Sequence, residues 1–413
     1  MFYFWARIML WTAYPNSEVE GEEHTRTPGP MLVACNHPNT LIDPLMAGIQ
    51  LHQRLYFLVH AGLMKSPGMA KFLHYIGCVP ILRPQDVKKN LNVDNKDSFA
   101  QVYAHLARGR LLFVAPEGGS DLDRRLRRPL KTGIARMALQ SAAHHNWQLD
   151  LKILPVATNY ESPTACFNRA YVRIAPPVYV NEWRERYQDD PIKAVRELTE
   201  HVGDLMEERL IQTNDKAEER LLRPIERAIE HDRPQRIDLH LARVNRILAD
   251  LRDLPAARRE SLQATAAAYE AGLKKHGLSD YALSSHPNAR LRPGTILGLP
   301  IFLWGWINHV LPIALANVVE RKIGAERGYR MTIITLVSVI LVTLFYVIQP
   351  VIVGLLTGSA VIAWTYLFSL PLAGWFAVGY WTTYRAFWYR LLQGGRVTED
   401  LRRMRGELVD WWK

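Results

Sequence analysis

The sequence predicts an α/β domain layered on a mostly parallel sheet, followed by a helical extension and a C-terminal transmembrane helical hairpin. Three observations carry this. Between Pro30 and about Val180, short apolar runs alternate with helical patterns, as they do where helices cover a parallel sheet. Residues 183–290 turn charged, with apolar positions recurring at the spacing of one helix face. From Met331 to Tyr384 the chain runs 54 residues without a charged side chain. That length holds two bilayer crossings of about 20 residues each and a turn.

The elements follow in chain order. The first 14 residues, "MFYFWARIMLWTAY", are apolar and aromatic but too short to span a membrane. They form either a core-packing helix or an interfacial one with its aromatics at headgroup level. Residues 15–182 make the α/β domain. Its buried strands read "PMLVAC", "RLYFLVH", "VPIL", "RLLFVAP", "LKILPVATNY" and "AYVRIAPPVYV". Its helices read "DPLMAGIQLH", "SPGMAKFLHYIG", "SFAQVYAHLARG" and "GIARMALQSAAHH". The extension, 183–290, opens a helix at Asp190-Pro191, a cap residue followed by proline at the first helical position. Val195, Leu198, Val202, Leu205 and Met206 mark its apolar face, and Leu241, Val244, Leu248 and Leu251 repeat the pattern. Gly294–Val319 is a further uncharged stretch of 26 residues, interrupted by Pro300 and Pro312 and carrying Asn308-His309.

Composition narrows the function. A formal charge of +11 suits nucleic acid, anionic lipid or a phosphorylated substrate. The basic residues are spread along the chain rather than gathered among stacking aromatics, which argues against nucleic acid. Cys35, Cys78 and Cys166 are odd in number and scattered, so they make neither a disulfide framework nor a structural metal site. No GxSxG nucleophile elbow and no GxxxxGK[ST] phosphate loop occurs.

The chemistry concentrates in four segments. In "CNHPNTLIDP" a buried strand ends at about Cys35, and Asn39 or Thr40 is placed to cap the helix that follows. His37 then lies in the turn after the strand and Asp43 in the first helical turn, where open α/β sheets place ligand-binding groups. The pair reads as a general base with its orienting acid, or as a capped turn with a satisfied histidine. In "LLFVAPEGGSDLD" a strand runs into a carboxylate, Glu117, and two glycines that expose backbone N–H groups. In "IGCVPILRPQD", Arg83 ends a strand as a phosphate ligand or a solvated charge. In "PLKTGIARMAL", Lys131 and Gly133 open a helix, a place that suits an anion.

Taken in order, these segments resemble the glycerol-3-phosphate and 1-acylglycerol-3-phosphate acyltransferase superfamily. Its Asn-His block with a downstream Asp, its arginine block, its Pro-Glu-Gly block and its Val-Pro block read here "NHPNTLID", "CVPILR", "APEGGS" and "ILPVATNY". Five residues separate His37 from Asp43 where most members have four, which points to the longer branch. Ala115 stands where a phenylalanine is usual. The resemblance implies a membrane-bound enzyme that moves an acyl group from an acyl thioester, on coenzyme A or acyl carrier protein, to a glycerol phosphate hydroxyl. His37 would be the base and Asp43 its orienting acid. Asn36, Arg83, Glu117, Gly118 and Lys131 would bind the acceptor. No cofactor, no metal and no cysteine nucleophile is needed. The alternative is a catalytically inactive, membrane-anchored lipid-binding protein on the same fold.

Charge counting sets the expected topology. Arg321, Lys322, Arg327 and Arg330 flank the long apolar run on one side, and Arg385, Arg390, Arg396, Arg402, Arg403, Arg405 and Lys413 follow it. The turn "LLTGSA" between has no basic residue. Residues 294–319 are long enough to span, which would make three crossings, but basic loops stay cytoplasmic, so two are expected, at about 331–354 and 358–382. Residues 294–319 would then be interfacial or re-entrant, and 385–413 a basic cytoplasmic tail beside a cytoplasmic catalytic domain.

Overall fold

The computed structural model describes residues 2–51, 53–64, 66–81, 95–120, 122–324 and 327–412. The chain divides into two compact units, Met1–Gln212 with Ala325–Thr332, and Thr213–Gly324 with Ile333–Lys413.

The first unit is built on an eight-stranded sheet. Its strands are β1 (Asn16–Glu20), β2 (Met31–Cys35), β3 (Leu55–His60), β4 (Cys78–Ile81), β5 (Leu111–Val114), β6 (Lys152–Tyr160), β7 (Arg169–Ile174) and β8 (Val178–Tyr179). The order is β1-β7-β6-β2-β5-β3-β4, with β8 paired to β6. The neighbours β6, β2, β5, β3 and β4 run parallel, which lines up their C-terminal ends along one edge. Two antiparallel pairings, β6 with β7 and β6 with β8, make the sheet mixed. Strand β1, absent from the sequence reading, adds to β7 in parallel. Its "NSEVE" is too polar to stand out as a buried run.

The helices are α1 (Phe2–Ala13), α2 (Ile42–Ile49), α3 (Pro67–Ile76), α4 (Asn95–Ala107), α5 (Gly133–His144), α6 (Arg184–Asp189) and α7 (Pro191–Glu207). Ala6, Met9, Leu10 and Ala13 recur at helical spacing and are all buried, so α1 packs into the fold along this face. Asp190 caps α7 by accepting from the Ile192 and Lys193 amides, as its sequence indicates. Ala194, Leu198, Val202 and Met206 of α7 join the core that α5, β5 and β6 build. The first helix of the expected extension is therefore part of the α/β unit, which runs through Gln212. All nine residues of β6 are buried, Lys152 included. Its ammonium is held by Pro28 O at 2.7 Å and by both Asp150 O and Asp150 Oδ2, so the buried charge is paired.

The second unit contains α8 (Lys216–Asp232), α9 (Ile237–Asp253), α10 (Ala256–His276), α11 (Pro293–Leu297), α12 (Leu299–Ile323), most of α13 (Arg330–Thr357), α14 (Ala360–Gln393) and α15 (Glu399–Asp410). Leu241, Val244, Leu248 and Leu251 of α9 are buried, as their spacing predicts. Among the described residues, three helices are long and apolar enough to cross a membrane: Leu299–Ile323, Arg330–Thr357, and α14 with the turn that follows it. The chain is a membrane protein on this evidence, and most of the large apolar side chains of these helices are exposed, as lipid-facing residues are. Of the stretch expected to be interfacial, the first residues belong to α11 and 299–319 to α12, which is continuous with Pro312 inside it. Its polar pair is satisfied by neighbours: Asn308 Oδ1 accepts from the Tyr366 hydroxyl, and His309 Nε2 is 2.7 Å from the Tyr346 hydroxyl. Helices α11 and α12 together run antiparallel to α14, with Gly294 of α11 against Tyr384, Gly298 between the two against Tyr380, and Gly305 of α12 against the Ala373 backbone.

The basic tail folds back as α15. Leu401, Arg405 and Leu408 are buried there. Arg405 donates to Asp280 Oδ1 at 3.0 Å and to Asp232 Oδ1 and Oδ2 at 2.9 and 3.0 Å. Asp280 also accepts from the Tyr269 hydroxyl and faces His231 Nδ1 at 2.7 Å. Burial alone would raise the Asp280 carboxyl, but the His231 hydrogen bond and the Arg405 charge outweigh it and hold it far below the usual carboxylate range.

Candidate functional site

Three parallel neighbours, β6, β2 and β5, deliver the site. The turn after β2 carries His37, the turn after β5 carries Glu117, and β6 ends at Tyr160. All three turns leave the sheet at the edge where open α/β sheets bind ligands.

His37 Nδ1 lies 3.1 Å from Asp43 Oδ2. Asp43 is fully buried, and 15% of the His37 side chain is exposed. A carboxylate only accepts, so Nδ1 carries the hydrogen and Nε2 is left with its lone pair. Among the described residues Nε2 has no hydrogen-bond partner. The Phe113 ring flanks the imidazole at 5.8 Å between centroids. The geometry is that of a base whose tautomer is fixed by an acid behind it.

The helix start differs from expectation. Neither Asn39 nor Thr40 caps α2; the N-cap position is Leu41, with no side-chain cap. Asp43 reaches back instead, its Oδ2 accepting the Asn39 amide at 2.6 Å. One carboxylate thereby satisfies the helix start and orients the imidazole. Thr40 and Leu41 are tied to the start of α13: the Thr40 hydroxyl donates to Gly328 O at 3.2 Å, and the Leu41 amide to Thr332 Oγ1 at 3.1 Å.

The remaining oxygen of Asp43, Oδ1, accepts from the Tyr160 hydroxyl at 2.5 Å. Burial pushes the Asp43 carboxyl up, while the bonds from His37, Tyr160 and the Asn39 amide pull it back down. Cys35, beside the motif, is fully buried, and burial, reinforced by the Asp43 charge, pushes its thiol well up. A thiol so placed is not a nucleophile.

Glu117 is bound on both oxygens. Oε1 accepts the His37 amide at 3.1 Å, and Oε2 accepts Arg127 Nε at 3.0 Å. Arg127 also donates to Gly119 O at 2.7 Å. Gly118 takes φ +73°, the left-handed region that favours glycine, and the Lys131 methylenes lie across it. The Lys131 amide donates to Pro116 O at 2.8 Å, leaving its exposed side chain beside the Pro-Glu-Gly turn. Asn36 is occupied with β6: Oδ1 accepts from the Thr158 amide and hydroxyl, and Nδ2 donates to Thr158 O at 2.9 Å. It pins the His37 turn to the neighbouring strand.

The structure thus brings Asn36, His37 and Asp43, on the turn after β2 and the start of α2, next to Glu117, Gly118 and Lys131, on the turn after β5 and the approach to α5. Arg83 lies outside the described residues. Arg127 and Tyr160 were missed in the sequence. Arg127 stands in "RRLRRPL", where four arginines look alike, and Tyr160 ends a strand whose apolar run reads as core.

Residues 16–159 match the family model described as Acyltransferase. The chain is 33% identical over 114 residues to glycerol-3-phosphate O-acyltransferase 1 of Saccharomyces cerevisiae, covering 27% of this chain and 15% of that protein. It is 30% identical over 111 residues to glycerol-3-phosphate O-acyltransferase 2 of the same yeast, with the same two shares. The chain spans under a fifth of the length of these curated relatives. Among solved structures it is similar to the 1-acyl-sn-glycerophosphate (LPA) acyltransferase PlsC of Thermotoga maritima, at 19% identity and a TM-score of 0.33 over 47% of this chain and 76% of that one.

Proposed function

Because residues 16–159 make up an acyltransferase-family domain, we propose that the chain is a membrane-bound O-acyltransferase acting on a glycerol phosphate. The acyl donor is an acyl thioester of coenzyme A or acyl carrier protein, and the acceptor is glycerol 3-phosphate or its 1-acyl product. The yeast relatives' names favour glycerol 3-phosphate.

His37 Nε2 takes the proton of the acceptor hydroxyl as its oxygen attacks the thioester carbonyl carbon. The tetrahedral intermediate collapses by breaking the C–S bond, and the imidazolium returns the proton to the departing thiolate. Asp43 holds the tautomer and stabilises the transient imidazolium. Lys131, beside the Glu117–Gly118 turn, and Arg83 bind the acceptor phosphate. The observation that carries this reading is the His37–Asp43 contact at 3.1 Å, with Nε2 open, inside the matched domain.

Orientation belongs to the same proposal: both ends of the membrane region lie on the cytoplasmic side, with α13 and α14 as the crossing hairpin. Two pairings support it. The start of α13 is hydrogen-bonded to the Thr40–Leu41 turn of the catalytic domain. The tail that follows α14 is ion-paired through Arg405 with Asp232 and Asp280 of the extension.

The test is esterification by purified protein in lipid nanodiscs, with glycerol 3-phosphate and 1-acylglycerol 3-phosphate offered separately with acyl-coenzyme A. Transfer to one of them is expected. Thioester turnover with no ester formed on either acceptor, or no turnover with coenzyme A and carrier-protein donors alike, refutes the reading.

A further inference from the structure

We propose that Tyr160 is a positioning residue of the His37–Asp43 pair, its hydroxyl holding Asp43 Oδ1 so that Oδ2 faces the imidazole. The proposal rests on the reading of the site as an acyltransferase centre and adds a third member to its proton-handling group.

The geometry is specific. Asp43 is fully buried, and its two oxygens have different duties. Oδ2 takes His37 Nδ1 and the Asn39 amide. Among the described residues, Oδ1 takes only the Tyr160 hydroxyl, at 2.5 Å. Without that donor the carboxylate would keep one buried oxygen unsatisfied and could turn about its Cβ–Cγ bond, carrying Oδ2 away from the imidazole. The phenol is itself fixed. Tyr160 ends β6, the strand paired with β2, so the strand that precedes His37 and the donor to its acid share one hydrogen-bonded frame. The Tyr14 ring packs against it at 5.0 Å between centroids.

The direction of the bond is settled by chemistry. Burial and the Asp43 charge push the Tyr160 hydroxyl far above its ordinary value, so it keeps its proton and donates. No proton leaves Tyr160 during the reaction. It keeps the buried Asp43 ionised against the desolvation that would protonate it.

The test is the pH dependence of kcat and kcat/KM for the wild type, Tyr160→Phe and Tyr14→Phe in nanodiscs, with thermal midpoints measured in parallel. The Tyr14 hydroxyl donates to Pro163 O, accepts from Asn39 Nδ2 and makes no bond to Asp43, so Tyr14→Phe keeps the ring and removes a neighbouring buried hydroxyl without removing a donor to the carboxylate. Tyr160→Phe removes a bond that lowers the Asp43 pKa. The protonated, inactive form then persists to higher pH, and the acidic limb moves up. The rate at neutral pH falls about 10- to 100-fold, the weight of one hydrogen bond to a charged group, and KM for both substrates stays within about twofold. Tyr14→Phe leaves the limb in place. An unmoved limb in Tyr160→Phe, or an equal movement in Tyr14→Phe, overturns the proposal while the acyltransferase reading stands. A wild type that transfers no acyl group overturns both. Should Tyr160→Phe fail to fold, 3,5-difluorotyrosine at position 160 keeps the ring and makes a stronger donor. The acidic limb then moves to lower pH, and an unmoved limb refutes the role.

Discussion

Asp43→Asn separates what this carboxylate does for the reaction from what it does for the fold. The substitution keeps volume and one acceptor oxygen but replaces the other oxygen with an NH2 group. Tyr160 supplies an O–H to Oδ1, while Oδ2 faces two N–H groups, His37 Nδ1 and the Asn39 amide. Turned toward Tyr160, the NH2 can donate only if the phenol gives up its own donation and accepts; turned the other way, it meets two N–H donors. If it faces Nδ1, the imidazole must put its hydrogen on Nε2 and cannot accept the substrate proton. The loss expected for a base in the wrong tautomer is about 100- to 10,000-fold in kcat. Stability moves little by comparison. The lost bonds to Oδ2 are worth about 1.5–3 kcal/mol each, but removing a fully buried charge recovers a desolvation cost of several kcal/mol. The balance stays within about 2 kcal/mol, or about 8 °C in Tm for a domain of this size. The pH dependence has a definite sign. Burial raises the Asp43 pKa above its unfolded value of 3.8. Above about pH 4 the folded state therefore binds more protons than the unfolded one, and stability falls as pH rises through that window. Asp43→Asn removes this fall. The assays are acyl transfer at neutral pH and thermal unfolding from pH 4 upward. A variant within tenfold of wild-type activity would refute the tautomer argument. A Tm more than about 15 °C lower would show that the carboxylate's hydrogen bonds outweigh its desolvation.

Arg405→Leu leaves Asp232 and the fully buried Asp280 without their guanidinium. Breaking such a pair costs about 3–5 kcal/mol; His231 and Tyr269 still hold Asp280, so the lower end is expected, read as a Tm drop of about 6–12 °C in detergent. Gly305→Leu would place a Cβ 2.3 Å from Ala373 O. It should pry α12 from α14 and lower the detergent Tm, whereas leucine at the exposed Val310 of the same helix should not; equal midpoints for the two variants would contradict the packing.

Much of this architecture was legible because it follows from local pattern. The buried strands before His37 and Glu117 are continuous apolar runs, Asp190-Pro191 announces its helix, and an uncharged stretch of 54 residues has no ordinary place in a soluble fold. What stayed hidden depends on contacts far apart in sequence. Strand β1 exists because β7 offers it an edge, and "NSEVE" carries no signal of its own. Asp43 takes over the helix start from Asn39 and Thr40 because Pro163 O and Gly328 O draw those side chains away. Tyr160 meets Asp43 across 117 residues. Arg405, one basic residue among seven after Tyr384, is buried because two aspartates of the extension lie beneath it.

The proposed reaction turns on His37 as the base for acyl transfer. The measurement that reaches it most directly is ester formation by purified wild type and His37→Ala in nanodiscs, with acyl-coenzyme A and glycerol 3-phosphate, at equal loading and with matched thermal midpoints. His37 projects from a turn and is partly exposed, so its truncation leaves the core untouched. Ester is expected from the wild type, and a rate about 100- to 10,000-fold lower from the variant. Near-normal ester formation by a folded His37→Ala would contradict it.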